Sequence, residues 1–426
     1  MGVIELKLLK NKNLVLLILG QFVSQFGSGM QSFALSLYVL HVTGSGTMFA
    51  SVLAIGALPR LVLGPVCGVF ADWFDRKKII VYLDLLSAVV IGGMFLLSLR
   101  ADLTMAHIYA LVIIMSVISA LFVPAIGTAL PSVVPKEDLV GANSMNRFVM
   151  TLCFMISPIV AGLIFGLYGI TVVLFINGVS FLLSAISESF IDLETPNRKK
   201  TRPSYQDFKE DFTAGIRIIL DHKLIRSIIS LSIAANALIA PAISVGLIFV
   251  ANQLLAVEDW QLGMLQMALV SGSLVGILFT GPLTKKYKLE RILAVAVIVI
   301  GGLVGLVAIN GSTRFLGLFP TNLVPYVFLV AIAVSITSVA VITNIGVATM
   351  MQREVPLEML GRVTSVKETL SMAAVPLGQM IFGVVFDYMI APVPFVISSI
   401  LVILLGLRFM KSHSTNETPK PQPAVQ

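Results

Sequence analysis

Along this chain apolar residues gather in long, nearly continuous runs separated by short polar stretches, instead of the narrow stripes of a soluble amphipathic helix. A helix that crosses a bilayer needs about 20 mostly apolar residues. Twelve such runs occur, at 13–41, 46–72, 79–99, 104–131, 142–167, 170–192, 226–253, 260–284, 291–310, 322–350, 362–388 and 391–410. They are too long for barrel strands of alternating polarity. Helices are then the way left to satisfy the backbone in lipid, so the pattern predicts an all-α integral membrane protein. The first run follows MGVIELKLLKNKN. It is longer than a signal peptide's apolar core and no small-residue cleavage site follows it, so it is read as a span.

Composition strengthens the picture. Of 426 residues 57% are hydrophobic and 12% charged, with a mean hydropathy of +0.98, against roughly 25% charged in soluble domains. The net charge of +7 follows from topology. If both termini face the cytoplasm, Arg100 and Arg314 are the basic residues left outside, and Arg60, Arg147 and Lys367 fall within spans. Such asymmetry is the positive-inside pattern, and it needs no nucleic-acid partner. The cysteines, Cys67 and Cys153, and the four histidines, His41, His107, His222 and His413, form no metal-ligand spacing. The spans show no Ser–His arrangement, no acid pair and no metal-ligand cluster, so neither an enzyme nor a cofactor is expected.

The longest polar stretch between spans divides the chain into six spans plus six. The expected organisation is an amino-terminal bundle (1–192), a cytoplasmic linker (193–225), a carboxy-terminal bundle (226–410) and a disordered tail (411–426). Within the linker, Phe208, Phe212, Ile216 and Ile219 recur at helical spacing, which predicts an amphipathic surface helix. The halves echo each other: FADWFDRKKII after the second span matches LTKKYKLERIL after the eighth. IGTALPSVVPKEDLVGANS after the fourth likewise matches IGVATMMQREVPLEMLGRVTS after the tenth. Two six-span halves with matching loops are the mark of a parallel-repeat transporter.

GVFADWFDRKK, from Gly68 to Lys78, resembles the loop between helices 2 and 3 of the major facilitator superfamily. Gly68, Asp72, Arg76 and Lys77 match its pattern, whereas Trp73 replaces a basic residue and Asp75 a glycine. LGQFVSQFG, TGS (43–45), ANSMN, DFKEDFTAGIR and EMLGRVTSV are similar to the macrolide-efflux-type branch, the third drug:proton antiporter group. SPIVAG resembles the antiporter motif Gly-Pro-x-x-Gly-Gly at Ser157, Pro158, Ala161 and Gly162. The resemblance implies twelve helices in two pseudo-symmetric six-helix bundles, with a gate at the loop. In that gate Gly64 and Gly68 would admit helix 11, while Asp72 would meet its amino end or Arg362.

Several polar residues lie inside spans, where they must face protein or water. Arg60 is 12 residues before Asp72, about 18 Å deeper along a helix. Gln21, Gln25, Ser28, Ser32 and Ser36 form a stripe along the first span. The resemblance places helix 1 on the central cavity, making Gln21, Gln25, Ser28, Ser32, Arg60, Asn146, Asn236 and Gln379 candidate cavity residues; hydrogen bonding between helices is the alternative for each. Asp84, Glu188 and Glu368 are the candidate proton carriers, with Arg147 and Lys367 as possible structural partners.

The expected function is export of amphipathic, drug-like small molecules by alternating access, with proton antiport resting on the resemblance alone. The protein would act as a monomer in the cell membrane, both termini cytoplasmic, with substrate, protons and lipid as its partners. An alternative keeps the fold and assigns an anionic amphiphile, such as a siderophore-like compound or lipid, opposite Arg60. A channel is disfavoured by the repeat and by the lack of a ring of like charge.

Overall fold

A computed structural model of the protein describes residue 8 and residues 10–73, 75–192 and 205–414. The side chains of residues 64–73, 76, 128, 136, 140, 205–211, 357, 358 and 412–414 are outside that description. The expectations for Gly64, Gly68, Asp72, Arg76 and the tail beyond Ser414 therefore lie outside the described residues.

Every element among the described residues is helical. In chain order the helices are α1 (Lys12–Thr43), α2 (Gly46–Trp73), α3 (Arg76–Ser98), α4 (Met105–Val133), α5 (Leu139–Ser189), α6 (Tyr205–Asp221), α7 (Lys223–Pro241), α8 (Asp259–Lys286), α9 (Leu289–Asn310), α10 (Leu323–Glu354), α11 (Leu357–Tyr388) and α12 (Pro392–Ser414). α5 runs to 51 residues against 29 for α4 because two spans meet at Gly169, whose φ of 74° breaks the helical path. Glycine reaches that conformation without a Cβ clash. Eleven helices among the described residues are long and apolar enough to cross a membrane, and the kink makes twelve crossings.

Local chemistry sets the ends. Asn11 caps α1, its side chain accepting from the Leu14 amide, and it donates 2.7 Å to the Val133 carbonyl on α4. Gly44, at φ 61°, ends α1. Asp75, which stands where the superfamily loop has glycine, caps α3 by accepting from the Lys78 amide. Past Pro241, α7 widens into two π-helical turns, Ala242–Leu247 and Val250–Leu254, the local adjustment a proline-interrupted helix can adopt. α7 begins at Lys223 and α12 runs on to Ser414, beyond the apolar runs read from sequence. A helix can continue past the hydrocarbon layer at little cost, since water then satisfies its outer carbonyls.

Helices α1 to α5 pack together, as do α7 to α12, and the two halves meet along two seams, α5 with α8 and α2 with α11. Both seams use small residues. A Cβ on Gly263 would lie 2.6 Å from Ile159 Cα, and one on Gly383 would lie 2.6 Å from the Gly46 carbonyl. Backbones this close give dense dispersion contact where lipid offers no hydrophobic drive. Pro158 of the antiporter-like segment lies on the first seam, Gly162 backs onto Asp259 there, and Ala161 is fully buried. The linker helix α6 docks onto α11: Ile219 is buried, Phe212 and Ile216 pack on the core, and a Cβ on Gly215 would meet Val366 and the Arg362 carbonyl. The described part of its apolar face thus packs on protein.

Candidate functional site

The described polar contacts that cross between the halves gather at the end remote from the chain termini. There Asp387, at the close of α11, accepts from Ser45 Oγ (2.7 Å), the Gly46 amide (2.7 Å) and the Thr47 amide (3.1 Å). An anion at a helix amino end meets unpaired amides and the positive end of the dipole, so one half caps a helix of the other. On the second seam His41 Nε2 of α1 lies 3.2 Å from Asp259 Oδ1 of α8, with the Asn252 amide against the same nitrogen at 3.2 Å. The His41 ring rests beside Phe165 of α5. This end of the molecule is closed.

Along α1 the polar stripe is graded. Gln21 is buried, with its Oε1 unpartnered; Gln25 and Ser28 are half-buried and Ser32 is exposed. Ser36 turns back onto the Ser32 carbonyl. Phe22 and Phe26 stack with ring centres 5.9 Å apart, and Phe33 is buried. In α7, Asn236 bonds its own helix at the Ser232 carbonyl, while Gln379 of α11 donates to Ser244 Oγ at 3.1 Å and leaves its Oε1 unpartnered. Asn146 is half-buried with an unpartnered Oδ1. Ser157 is buried and bonds the Cys153 carbonyl.

Arg60 is exposed in α2. Leu58 and Val62, 46% and 67% exposed, stand about 160–200° away round the helix at about 100° per residue. The guanidinium therefore leaves the helix opposite that apolar pair. Among the described residues no carboxylate pairs with it.

The candidate acids part company. Glu368 is exposed and bonded to its neighbour Lys367 at 2.6 Å. Asp84 of α3 and Glu188 of α5 instead face each other with Ser184 beside them, at exposures of 1%, 2% and 0%, which corrects the expectation that the spans offer no acid pair: residues about 100 positions apart in sequence are brought together by the packing of α3 on α5. Gly20 of α1 completes the pocket: a Cβ there would sit 3.2 Å from Glu188 Cγ and from Ser184 Oγ. Asp84 Oδ2, both Glu188 oxygens and Ser184 Oγ lack a partner in hydrogen-bonding geometry among the described residues. Arg147 is exposed elsewhere on α5. In the gating loop Lys77 is half-buried, and Arg362 reaches Met359 Sδ at 3.5 Å.

His41, Ser45 and Asp259 were not singled out from sequence. Their roles arise where helix ends from different halves meet, and no spacing within one segment signals that. The TGS signature at 43–45, which contains Ser45, was the available hint.

Two sets of membrane helices, joined along two small-residue seams and clasped at one end, form the scaffold of a polytopic transporter. A sequence model of the Major Facilitator Superfamily matches residues 17–378, and the chain belongs to that superfamily. Macrolide efflux protein A of Streptococcus pyogenes is 22% identical over 393 residues, covering 91% of this chain and 93% of that protein. The multidrug efflux pump Tap of Mycolicibacterium fortuitum is 26% identical over 405 residues, covering 93% and 95%. Among solved structures, a bacterial homologue of the iron transporter ferroportin, in an inward-facing state, superposes at TM-score 0.70 with 17% identity over 93% of this chain and 98% of that one. The nucleoside transporter NupG does so at 0.74 with 14% identity over 93% and 98%. The protein is thus a multi-pass membrane transporter with efflux-pump relatives, and not an enzyme.

Proposed function

We propose that the protein exports amphipathic, drug-like small molecules across the cell membrane by alternating access, driven by proton influx. The observation that carries this reading is the clasp at the end away from the termini. The described polar contacts between halves lie at the end away from the termini, so a rocking motion has a defined set of bonds to break. With both termini cytoplasmic, as the distribution of Lys and Arg suggests, the clasped end is extracellular and substrate enters from the cytoplasm. Residues 1–192 and 226–410 would then rock about the substrate, with Asp72, Arg76, Lys77 and Arg362 closing the opposite end when the clasp opens and Gly64 and Gly68 allowing that approach. The names of the efflux relatives support a drug-like substrate.

Proteoliposome counterflow tests the carrier reading. External unlabelled substrate should accelerate exchange of ethidium or a macrolide, and an imposed pH gradient should drive accumulation. A flux without trans-stimulation would sink it. Charge reversal at Asp72 should abolish transport with expression retained.

A second reading has its own observation. Arg60 is a membrane-embedded cation directed away from the outward apolar pair, with no described carboxylate against it, and such residues are functional by default. It would receive an anionic amphiphile. Loss of anion flux in Arg60→Ala, with cation flux intact, would favour this reading; unchanged anion flux would remove it.

A further inference from the structure

We propose that Asp84 and Glu188, with Ser184 beside them, form one shared proton-binding site between α1, α3 and α5, inside the amino-terminal half. The proposal rests on the export reading and names the site of its coupling ion. Ser184 and Glu188 are one turn apart on α5 and so share a face, and Asp84 comes to that face from α3. Gly20 of α1 leaves the space in which the Glu188 carboxyl and the Ser184 hydroxyl sit.

The donor count is what demands a ligand. Asp84 Oδ2 and both Glu188 oxygens are acceptors without donors, buried at 1% and 2% exposure. An isolated carboxylate in such surroundings costs several kcal/mol, and two adjacent ones cannot both be charged. Among the described residues no cation compensates the pair. α1 contributes Gly20 to the site; α3 contributes Asp84; α5 contributes Ser184 and Glu188; and α4 carries no ionisable side chain between Tyr109 and Lys136. Lys12 at the head of α1 and Arg147 on α5 are exposed, and Lys367 is bound to Glu368. One proton held between the carboxyls turns two orphan acceptors into a hydrogen bond; a second neutralises the pair. A hard metal cation wants six or more oxygens, more than these side chains offer.

Location supplies the link to transport. Glu188 is one residue from the end of α5, and Asp84 lies eight residues into α3, so the pair is close to the side of the termini. α5 also carries Pro158 and Ile159, which abut Gly263 across the seam between halves. Pro158 and Ile159 precede the Gly169 break and Glu188 follows it, so the proton site lies in the crossing next to the seam, within the half that must move when the clasp opens, and it stands apart from the Arg60 and Gln379 positions proposed for substrate.

The test uses the full-length protein and the Asp84→Asn and Glu188→Gln variants, each checked by gel filtration and thermal unfolding. Infrared difference spectra across a pH titration should show a protonated carboxyl band in wild type that is lost or shifted in each variant. In proteoliposomes the variants should lose at least tenfold of pH-gradient-driven ethidium accumulation while keeping gradient-free ethidium counterflow; Asp84→Glu should recover part of the driven transport. Variants with wild-type driven accumulation, or with an unchanged carboxyl band, overturn the site. So does a wild-type protein driven by a sodium gradient at constant pH. If wild type shows no ethidium counterflow at all, the export reading fails instead, and the infrared band still decides the proton site.

Discussion

The seam between α3 and α5 in the first half has a counterpart between α9 and α12 in the second, and the two are built from opposite materials. Aligning FDRKKII with YKLERIL sets Asp84 against Val297. In the first half the position carries a carboxyl facing a second carboxyl. In the second half Val297 is 1% exposed, and the helices close on glycine: a Cβ on Gly406 would lie 2.6 Å from Ile298 Cγ1, and one on Gly301 would lie 2.6 Å from Ile403 Cγ1. Repeated halves thus preserve backbone placement while chemistry diverges. The apolar seam is optimised for contact; the acidic one gives up contact and holds groups that ask for an ion.

Moving the carboxyl from one seam to the other should have the largest effect. Val297→Asp puts an uncompensated acid into close packing and should cost about 3–5 kcal/mol, read as lost yield in gel filtration and a much lower unfolding temperature in detergent. The reverse change, Asp84→Leu, removes one of two adjacent like acids and so should leave the unfolding temperature at or above wild type, while ending gradient-driven transport. A Tm that falls would mean that the pair is structural. Next in size, Gly406→Leu should overpack the α9–α12 seam by about 1–3 kcal/mol, visible in the same melt. Gly20→Ala, beside the acid pair, should be milder for the fold, because the atoms it meets are the movable tips of Glu188 and Ser184.

Effects at the clasp should be smaller on stability and larger on conformation. Asp387→Asn weakens charge-assisted bonds at an exposed site, worth about 1 kcal/mol after solvent screening. It should widen the distance between spin labels at Val42 and Ile390, which lie on opposite halves at the clasped end. An unchanged distance distribution would show that the cap does not set the equilibrium. His41→Ala, removing a half-exposed pair, should move the same distribution least, by less than 1 kcal/mol.

Sequence periodicity carried the helices well because membrane spans advertise themselves: lipid leaves the backbone no alternative to helix, and twelve apolar runs reappear as twelve crossings. Even the break in α5 was legible as two runs, 142–167 and 170–192, on either side of Gly169. The linker helix was also readable from Phe212, Ile216 and Ile219, although its docking on α11 was not. Candidate acids were visible as charges inside apolar runs. Their sorting was not, because nothing in the local pattern distinguishes Glu368, exposed beside Lys367, from Glu188, buried against Asp84 about 100 positions away in the chain.

By itself, then, the sequence determined that the chain is helical, membrane-embedded, repeated and related to efflux carriers, since each of these follows from local apolar length, loop motifs and the placement of basic residues. Only the tertiary structure decided that Asp387 caps α2, that His41 meets Asp259, and that two acids share one pocket while their counterpart seam is glycine and valine. Those facts depend on which helix faces which. Small-residue packing between distant segments sets that choice, and a window along one helix cannot contain it.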